Sequence, residues 1–218
     1  MKNNDINEKI CIFGTGGFGR EVLCCLIDIL NVKKKNIKDY ALFMVDDEFY
    51  INEQIMGINS IPVSEFNPLT HYAFIAIGDS TARMKIASKL PHETRYATLI
   101  HPSAVLSNWV YLNEGTVITA GTILTCNINI GKHAHLNLHT TIGHDCNIGN
   151  FFTTAPAVNI SGKCNFGNNV YIGTNASIKN GITICDNVII GMGSVVVKNI
   201  STPGTYIGNP TKNINEKK

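Results

Sequence analysis

From Leu106 to Val196, every sixth residue is large and apolar with one exception. The series runs Leu106, Leu112, Ile118, Leu124, Ile130, Leu136, Ile142, Ile148, Thr154, Ile160, Phe166, Ile172, Ile178, Ile184, Ile190, Val196, and only Thr154 departs from it. A period of six fits neither a strand, with period 2, nor a helix, with period 3.6. It predicts a parallel β-helix of hexapeptide repeats. Three hexapeptides make one triangular coil of about eighteen residues, so the run predicts about five coils stacked about 4.8 Å apart. Residues eighteen apart then lie above one another, and the apolar sixth residues fill the prism. A second inward series stands two positions earlier, from Val110 and Thr116 through Cys146, Val158 and Cys164 to Ser194. The position after the stripe is often small, as at Gly131, Gly143, Gly149, Ala155, Ser161, Gly167, Gly173 and Gly191. We read these as corners where the chain needs unusual backbone angles.

The pattern ahead of the stripe is different. Lys9 to Phe13 reads as an apolar strand, Gly14-Thr15-Gly16-Gly17-Phe18-Gly19 as a glycine-rich turn, and Arg20 to Leu30 as a helix with apolar residues at Val22, Leu23, Leu26, Ile27 and Leu30. A second strand spans Tyr40 to Val45 and ends in Asp46-Asp47. A third spans Tyr72 to Ile77 and is followed by Gly78-Asp79-Ser80 and a helix from Thr81 to Leu90. Strand, glycines and helix in succession form a βαβ-type, Rossmann-like domain, with ligand groups expected at the C-terminal ends of the strands. Glycines there let backbone N–H groups approach an anionic or polar ligand at a helix N-terminus. The loop is compatible with NAD, with another nucleotide such as a nucleotide-sugar, or with a tight turn alone. The domain is too short for a complete dinucleotide fold, which weighs against NAD. The expected organisation is an N-terminal domain over residues 1–97 and a β-helix domain with a C-terminal extension over residues 98–218. The tail from Thr211 to Lys218 is polar and expected to fray.

Composition changes little in this picture. The net charge is +2, and no basic block or aromatic-basic interleaving suggests nucleic acid. No apolar run reaches the length of a membrane span, and Met1 to Lys9 carries no signal-peptide core, so a soluble cytoplasmic protein is expected. The seven cysteines, Cys11, Cys24, Cys25, Cys126, Cys146, Cys164 and Cys185, are odd in number and contain no C-x-x-C pair. That disfavours a disulfide framework or a zinc ribbon. Cys146 and Cys164 should stack in adjacent coils as small core residues.

Chemistry must come from what departs from the repeat. His133, His135, His139 and His144 cluster in the middle coils. The first three project from different parts of the prism, so they do not converge and no metal is expected. His144 lies one residue past Gly143, on an outward-facing part of a coil where an imidazole has no packing reason to be. Asp145 beside it can orient the ring, as a carboxylate does for a general base. Gly162 lies eighteen residues on and should stack against His144.

The chain resembles the sialic acid O-acetyltransferase family within the left-handed β-helix hexapeptide acetyltransferases. The resemblance rests on Ile12 to Val22, Val45-Asp46-Asp47, Ala76 to Asp79, His101 to Ala104, Ile142 to Gly149 and Tyr206 to Pro210, and it covers nearly the whole chain. It is nearest to the bacterial N-acetyltransferases of nucleotide-linked 4-amino-4,6-dideoxy sugars. The resemblance implies an acetyl-CoA-dependent homotrimer with active sites between neighbouring β-helices, acting in surface-polysaccharide (O-antigen) or glycan biosynthesis. It implies His144 as general base with Asp145 as its acidic neighbour, and Asn137 on the sugar side. Gly16, Gly17, Phe18, Asp46, Asp47, Gly78 and Asp79 are implied in the nucleotide pocket. Thr153, Gly162, Thr174 and Met192 are implied along the coenzyme A channel, with the Gly162 N–H a candidate oxyanion donor. Thr153 replaces a histidine common in relatives and cannot titrate, and Phe18 replaces another histidine in the glycine loop. The substrate expected is a dTDP-linked 4-amino-4,6-dideoxyglucose. O-acetylation of a sugar such as sialic acid, and a non-enzymatic trimeric scaffold or sugar-binding module, are the alternatives.

Overall fold

The computed structural model describes residues 6–214, and its contacts divide the chain into two compact units, with the boundary between Pro102 and Ser103. In the N-terminal unit, β1 (Lys9–Phe13) is the central strand. Around it lie α1 (Gly17–Val32), α2 (Ile37–Tyr40), β2 (Ala41–Val45), β3 (Gln54–Ile55), β4 (Ile58–Pro62), β5 (His71–Ile75), α3 (Ser80–Lys89) and β6 (Arg95–Tyr96). The sheet order is β3-β4-β2-β1-β5-β6. All pairings are parallel except β3 with β4. Ile10, Cys11 and Ile12 are at most 1% exposed, as expected of a strand covered on both faces. Helix α1 buries Val22, Leu23, Cys25, Leu26, Ile29 and Leu30, the face read from its spacing.

Several local readings change; α1, for one, begins at Gly17 rather than at Arg20. Tyr40 closes a single helical turn capped by Asn36, whose Oδ1 accepts from Lys38 N at 3.1 Å, so β2 begins one residue later than expected. β5 ends at Ile75, two residues short of the expected end at Ile77. The β3–β4 hairpin has no counterpart in the sequence reading. Its two-residue turn is Met56-Gly57, both at positive φ (53° and 77°), where a methionine gives little turn signal.

The C-terminal unit is a left-handed parallel β-helix. The first face holds Val117–Ile118, His135–Leu136, Thr153–Thr154, Tyr171–Ile172, Val188–Ile190 and Gly204–Ile207. The second runs from Val105–Leu106 to Val195–Val196 and the third from Val110–Leu112 to Thr183–Ile184. Register is eighteen residues throughout the repeat, as in Val117↔His135, Leu124↔Ile142 and Ile130↔Ile148. From Ile118 onward every stripe residue is at most 5% exposed, while Leu106 and Leu112 are half-buried in the first coil. The second inward series is buried as well, and Phe152 belongs to it, packed edge-on against Phe166 with ring centroids 5.1 Å apart.

The corners correct the sequence reading. Every sixth residue from Gly115 to Gly193 has a positive φ, between 54° and 76°. These positions lie three residues past the stripe, not one, and include His133, His139, Asp145, Phe151, Ala157 and Lys163. The small residues directly after the stripe have a different cause. A Cβ on Gly149 would lie 2.3 Å from Gly167 O, and one on Gly143 would lie 2.6 Å from Gly162 N. These glycines are needed because the next coil passes against them, not because of their own dihedral angles.

The end of the chain also differs from expectation. Gly204–Ile207 extends the first face, and Lys212–Asn213 folds back on it antiparallel, so the tail is paired as far as Ile214, whose N–H donates to Thr205 O. Residues 215–218 of the expected frayed tail lie outside the described residues.

Candidate active site

The site is built on the corner between the second and third faces. The strand Thr141–Ile142 leads through Gly143 into the turn, which sets His144 outside the prism and Asp145 in the left-handed position. Asp145 Oδ2 accepts from His144 Nδ1 at 2.7 Å. The two side chains remain 50% and 43% exposed. With Nδ1 donating, the other ring nitrogen, Nε2, keeps its lone pair. The ring lies over Gly162 of the next coil, where a Cβ would meet Nε2 at 2.7 Å and Cε1 at 2.8 Å. The eighteen-residue relation between His144 and Gly162 is thus a direct contact, and only glycine leaves room for the imidazole.

Asp145 has a second partner. Its Oδ1 accepts from Asn127 Nδ2 of the preceding coil at 2.6 Å. Asn127 first, then His144, holds the Asp145 carboxyl below the ordinary carboxylate value, and Lys163 of the following coil adds attraction. Sequence reasoning missed Asn127, although subtracting one coil from Asp145 leads to it. Beneath the corner, Cys164 N donates to Cys146 Sγ at 3.4 Å, and both cysteines are buried and free. The Cys164 side chain first, then burial, pushes the Cys146 thiol above its ordinary value, against the Cys164 N–H, which lowers it.

A different corner, between the first and second faces, carries Asn137, Thr174 and Met192. Asn137 is fixed by a closed ring of hydrogen bonds. Its N–H donates to Thr154 Oγ1 at 3.0 Å, and Thr140 Oγ1 donates to its carbonyl at 2.7 Å. The two hydroxyls, 2.7 Å apart, complete the ring with Thr154 as donor. This explains the one polar stripe position: a buried Thr154 needs partners, and it finds them in the Asn137 N–H and the Thr140 hydroxyl. Met192 is 77% exposed, whereas Thr153, on the outer side of the first face, is 6% exposed. The structure therefore brings His144, Asp145 and Gly162 together on one corner and Asn137, Thr174 and Met192 along another.

The remaining histidines stand apart. His133 stacks on Phe151 with ring centroids 4.9 Å apart and lies over Gly115, and His139 lies over Gly121. His135 is buried on the outer side of the first face. Among the described residues no group of three or more His, Cys, Asp or Glu could hold a metal ion.

In the N-terminal unit, Gly14 and Gly19 are structural. Gly14 has φ +107°, and a Cβ on Gly19 would lie 2.0 Å from Gly14 O. Gly16, Gly17 and Gly78 face open space, at the C-terminal ends of β1 and β5 where this fold places ligands. Phe18 is half-buried beside them. Asp79 caps α3, its Oδ1 accepting from Ala82 N at 2.7 Å. Asp47 Oδ1 accepts from Ser64 N at 3.0 Å, and Ser64 lowers its carboxyl from the ordinary value. Asp46 caps the short turn Asp47–Phe49 without a side-chain bond.

Arg83, absent from the sequence reading, is fully buried under this loop. Its Nη1 donates to Ile77 O at 2.6 Å and Gly78 O at 3.3 Å, and burial lowers its pKa to about 9. Arg83→Met takes the donor from these part-buried carbonyls, and the unfolding free energy should fall by about 1–3 kcal/mol in chemical denaturation. Among the described residues no helix is long and apolar enough to cross a membrane.

Comparison with known proteins agrees with this architecture. Residues 9–90 match the PglD N-terminal domain, and residues 163–198 match the bacterial transferase hexapeptide family of six repeats. GDP-perosamine N-acetyltransferase of Escherichia coli O157:H7 is 33% identical over 157 residues, 69% of each chain. Among solved structures, PerB from Caulobacter crescentus in complex with CoA and GDP-perosamine is 27% identical with a TM-score of 0.83, covering 95% of this chain and 97% of that one. WeeI from Acinetobacter baumannii AYE is 29% identical with a TM-score of 0.84, covering 94% and 99%. The chain belongs to the family of nucleotide-linked amino-sugar N-acetyltransferases that join a PglD-type N-terminal domain to a hexapeptide-repeat β-helix.

Proposed function

We propose that the protein transfers the acetyl group of acetyl-CoA to the 4-amino group of a nucleotide-linked 4-amino-4,6-dideoxyhexose, with His144 as general base. The observation that carries this reading is the half-exposed His144 imidazole, held through Nδ1 by Asp145 and lying over the backbone of Gly162. Nε2 takes the proton of the attacking amine as the C–N bond forms. The thioester oxygen becomes an oxyanion, for which the Gly162 N–H is the candidate donor. As the C–S bond breaks, the imidazolium returns the proton to the departing thiolate. Cys146 and Cys164 are buried in the prism, so neither serves as the nucleophile, and the reading is direct transfer without an acyl-enzyme.

Asn137 is assigned to the sugar side, and Thr153, Thr174 and Met192 with Gly162 to coenzyme A. Gly16, Gly17, Phe18, Asp46, Asp47, Gly78 and Asp79 are assigned to the nucleotide. The separation of His144 from Asn137, Thr174 and Met192 onto two corners supports a homotrimer, in which a neighbouring prism supplies the second corner. We assign the enzyme to surface-polysaccharide (O-antigen) biosynthesis in the cytoplasm, where acetyl-CoA and sugar nucleotides are available.

The sequence reading favoured dTDP-4-amino-4,6-dideoxyglucose. The Escherichia coli relative is named for GDP-perosamine and PerB holds it in its complex, a sugar nucleotide of the same class, and this makes GDP-perosamine the first substrate to test. The test is release of free thiol from acetyl-CoA with GDP-, dTDP- and UDP-linked amino sugars and CMP-sialic acid. Thiol release with an amino sugar supports the reading. Release with the hydroxyl acceptor alone, or with none, overturns it. Gly162→Ala should lower kcat by about 10²–10³-fold with the sugar KM unchanged, because the added methyl displaces the ring and its neighbouring amide.

A further inference from the structure

We propose that Asn127 is a positioning residue that orients the His144–Asp145 pair and restrains its basicity. This inference rests on the general-base reading of His144. Asn127 occupies the left-handed corner one coil before Asp145, with φ 54°. The corner does not by itself require asparagine. In this chain the equivalent positions hold Gly, His, Phe, Ala and Lys as well. What the corner provides is reach: Asn169 Nδ2 also bonds Asn187 Oδ1 one coil further on, at 2.7 Å. At the active corner the same reach ends on a carboxylate that already holds the imidazole.

Asp145 is therefore gripped at both oxygens, by Asn127 on Oδ1 and by His144 on Oδ2. The grip fixes the carboxylate plane, and with it the ring and the Nδ1–H tautomer. It also draws carboxylate charge away from the imidazole. The other titratable groups at this corner are Lys163 on the next coil, the exposed Cys126 on the coil before His144, and the buried Cys146 and Cys164 thiols inside the prism. Lys163 draws on Asp145 in the same direction as Asn127, so the two together limit how strongly the carboxylate favours a charged imidazole.

Asn127→Gly is the informative variant. Glycine already fills this corner at Gly115, Gly121, Gly181 and Gly193, so the backbone is retained and only the donor is lost. Asn175→Gly, at an equivalent corner with φ 60°, is the control for the loss of an asparagine from the repeat. With saturating acetyl-CoA and the sugar nucleotide that wild type turns over, we expect the acid limb of the kcat profile to move up by about half to one pH unit in Asn127→Gly. The plateau kcat should fall about 3–10-fold with both KM values unchanged. Asn127→Asp, which sets a second carboxylate against Asp145, should move the limb further in the same direction. Asn175→Gly should superimpose on wild type.

A profile for Asn127→Gly that coincides with wild type overturns the proposal, as does a shift shared with Asn175→Gly. Absence of turnover by wild type with every amino sugar is a failure of the functional reading instead. The ¹⁵N spectrum of the His144 ring then decides: loss of the Nδ1–H tautomer preference in Asn127→Gly supports the positioning role, and an unchanged spectrum overturns it.

Discussion

Replacing His144 by alanine should lower kcat for acetyl transfer by about 10²–10⁴-fold while both KM values stay close to wild type. The ring is half-exposed, so its loss opens no core cavity and the melting temperature should hardly move. The split between kcat and KM follows from the assigned role. A base acts as the proton moves, not in holding either substrate. A variant with near-wild-type turnover would remove His144 from the mechanism. Asp145 remains charged well into acid, because Asn127 and His144 lower its carboxyl from the ordinary value. The sign follows from that lowering. The pair's contribution to stability is present above the unfolded carboxyl value and is lost only as pH falls through the lower folded value. Thermal melts at descending pH should therefore show the Asp145 contribution retained below the ordinary carboxylate value, and its loss in Asp145→Asn.

Gly149→Ala should destabilise the β-helix by about 1–3 kcal/mol, an overpacking cost that lowers the melting temperature by several degrees. Its Cβ would meet Gly167 O at 2.3 Å, Gly167 C at 2.5 Å and Asn168 N at 2.8 Å. All three atoms are backbone, so no side chain can rotate away. Gly149 does not carry a positive φ, and strain in its own dihedral angles cannot account for the loss. Ala157→Gly is the complementary variant. It sits at the left-handed corner with φ 58°, and glycine there should be neutral or stabilising. Thermal melts of the two variants separate stacking from corner conformation. Equal effects of the two changes would contradict the assignment.

The repeat explains why so much of the β-helix was legible. An uninterrupted period of six specifies which residues face inward, and a coil of three repeats brings residues eighteen apart into contact. Cys146 against Cys164 and His144 against Gly162 follow from counting alone. The strand, glycine turn and α1 were legible because a continuous apolar run gives way abruptly at Gly14 to loop glycines and then to helical spacing. Other features lie outside any period. The β3–β4 hairpin turns on Met56-Gly57, a pair with a weak local signal. Arg83 has no sequence signal for burial, and its place follows only from the carbonyls of Ile77 and Gly78 that it bonds.

The sequence by itself determined the prism, its inward series, its eighteen-residue register and the exposure of His144, because each is a projection of a regular repeat. Only the tertiary structure decided how side chains meet across coils. It moved the left-handed corner to three residues past the stripe and gave the small residues a stacking role. It turned Thr154 from a defect into a link in the Asn137 ring, and it joined Asn127 to Asp145. The physical reason is that a repeat specifies where Cβ atoms sit, whereas a hydrogen bond depends on which rotamer each side chain adopts and what faces it one coil away.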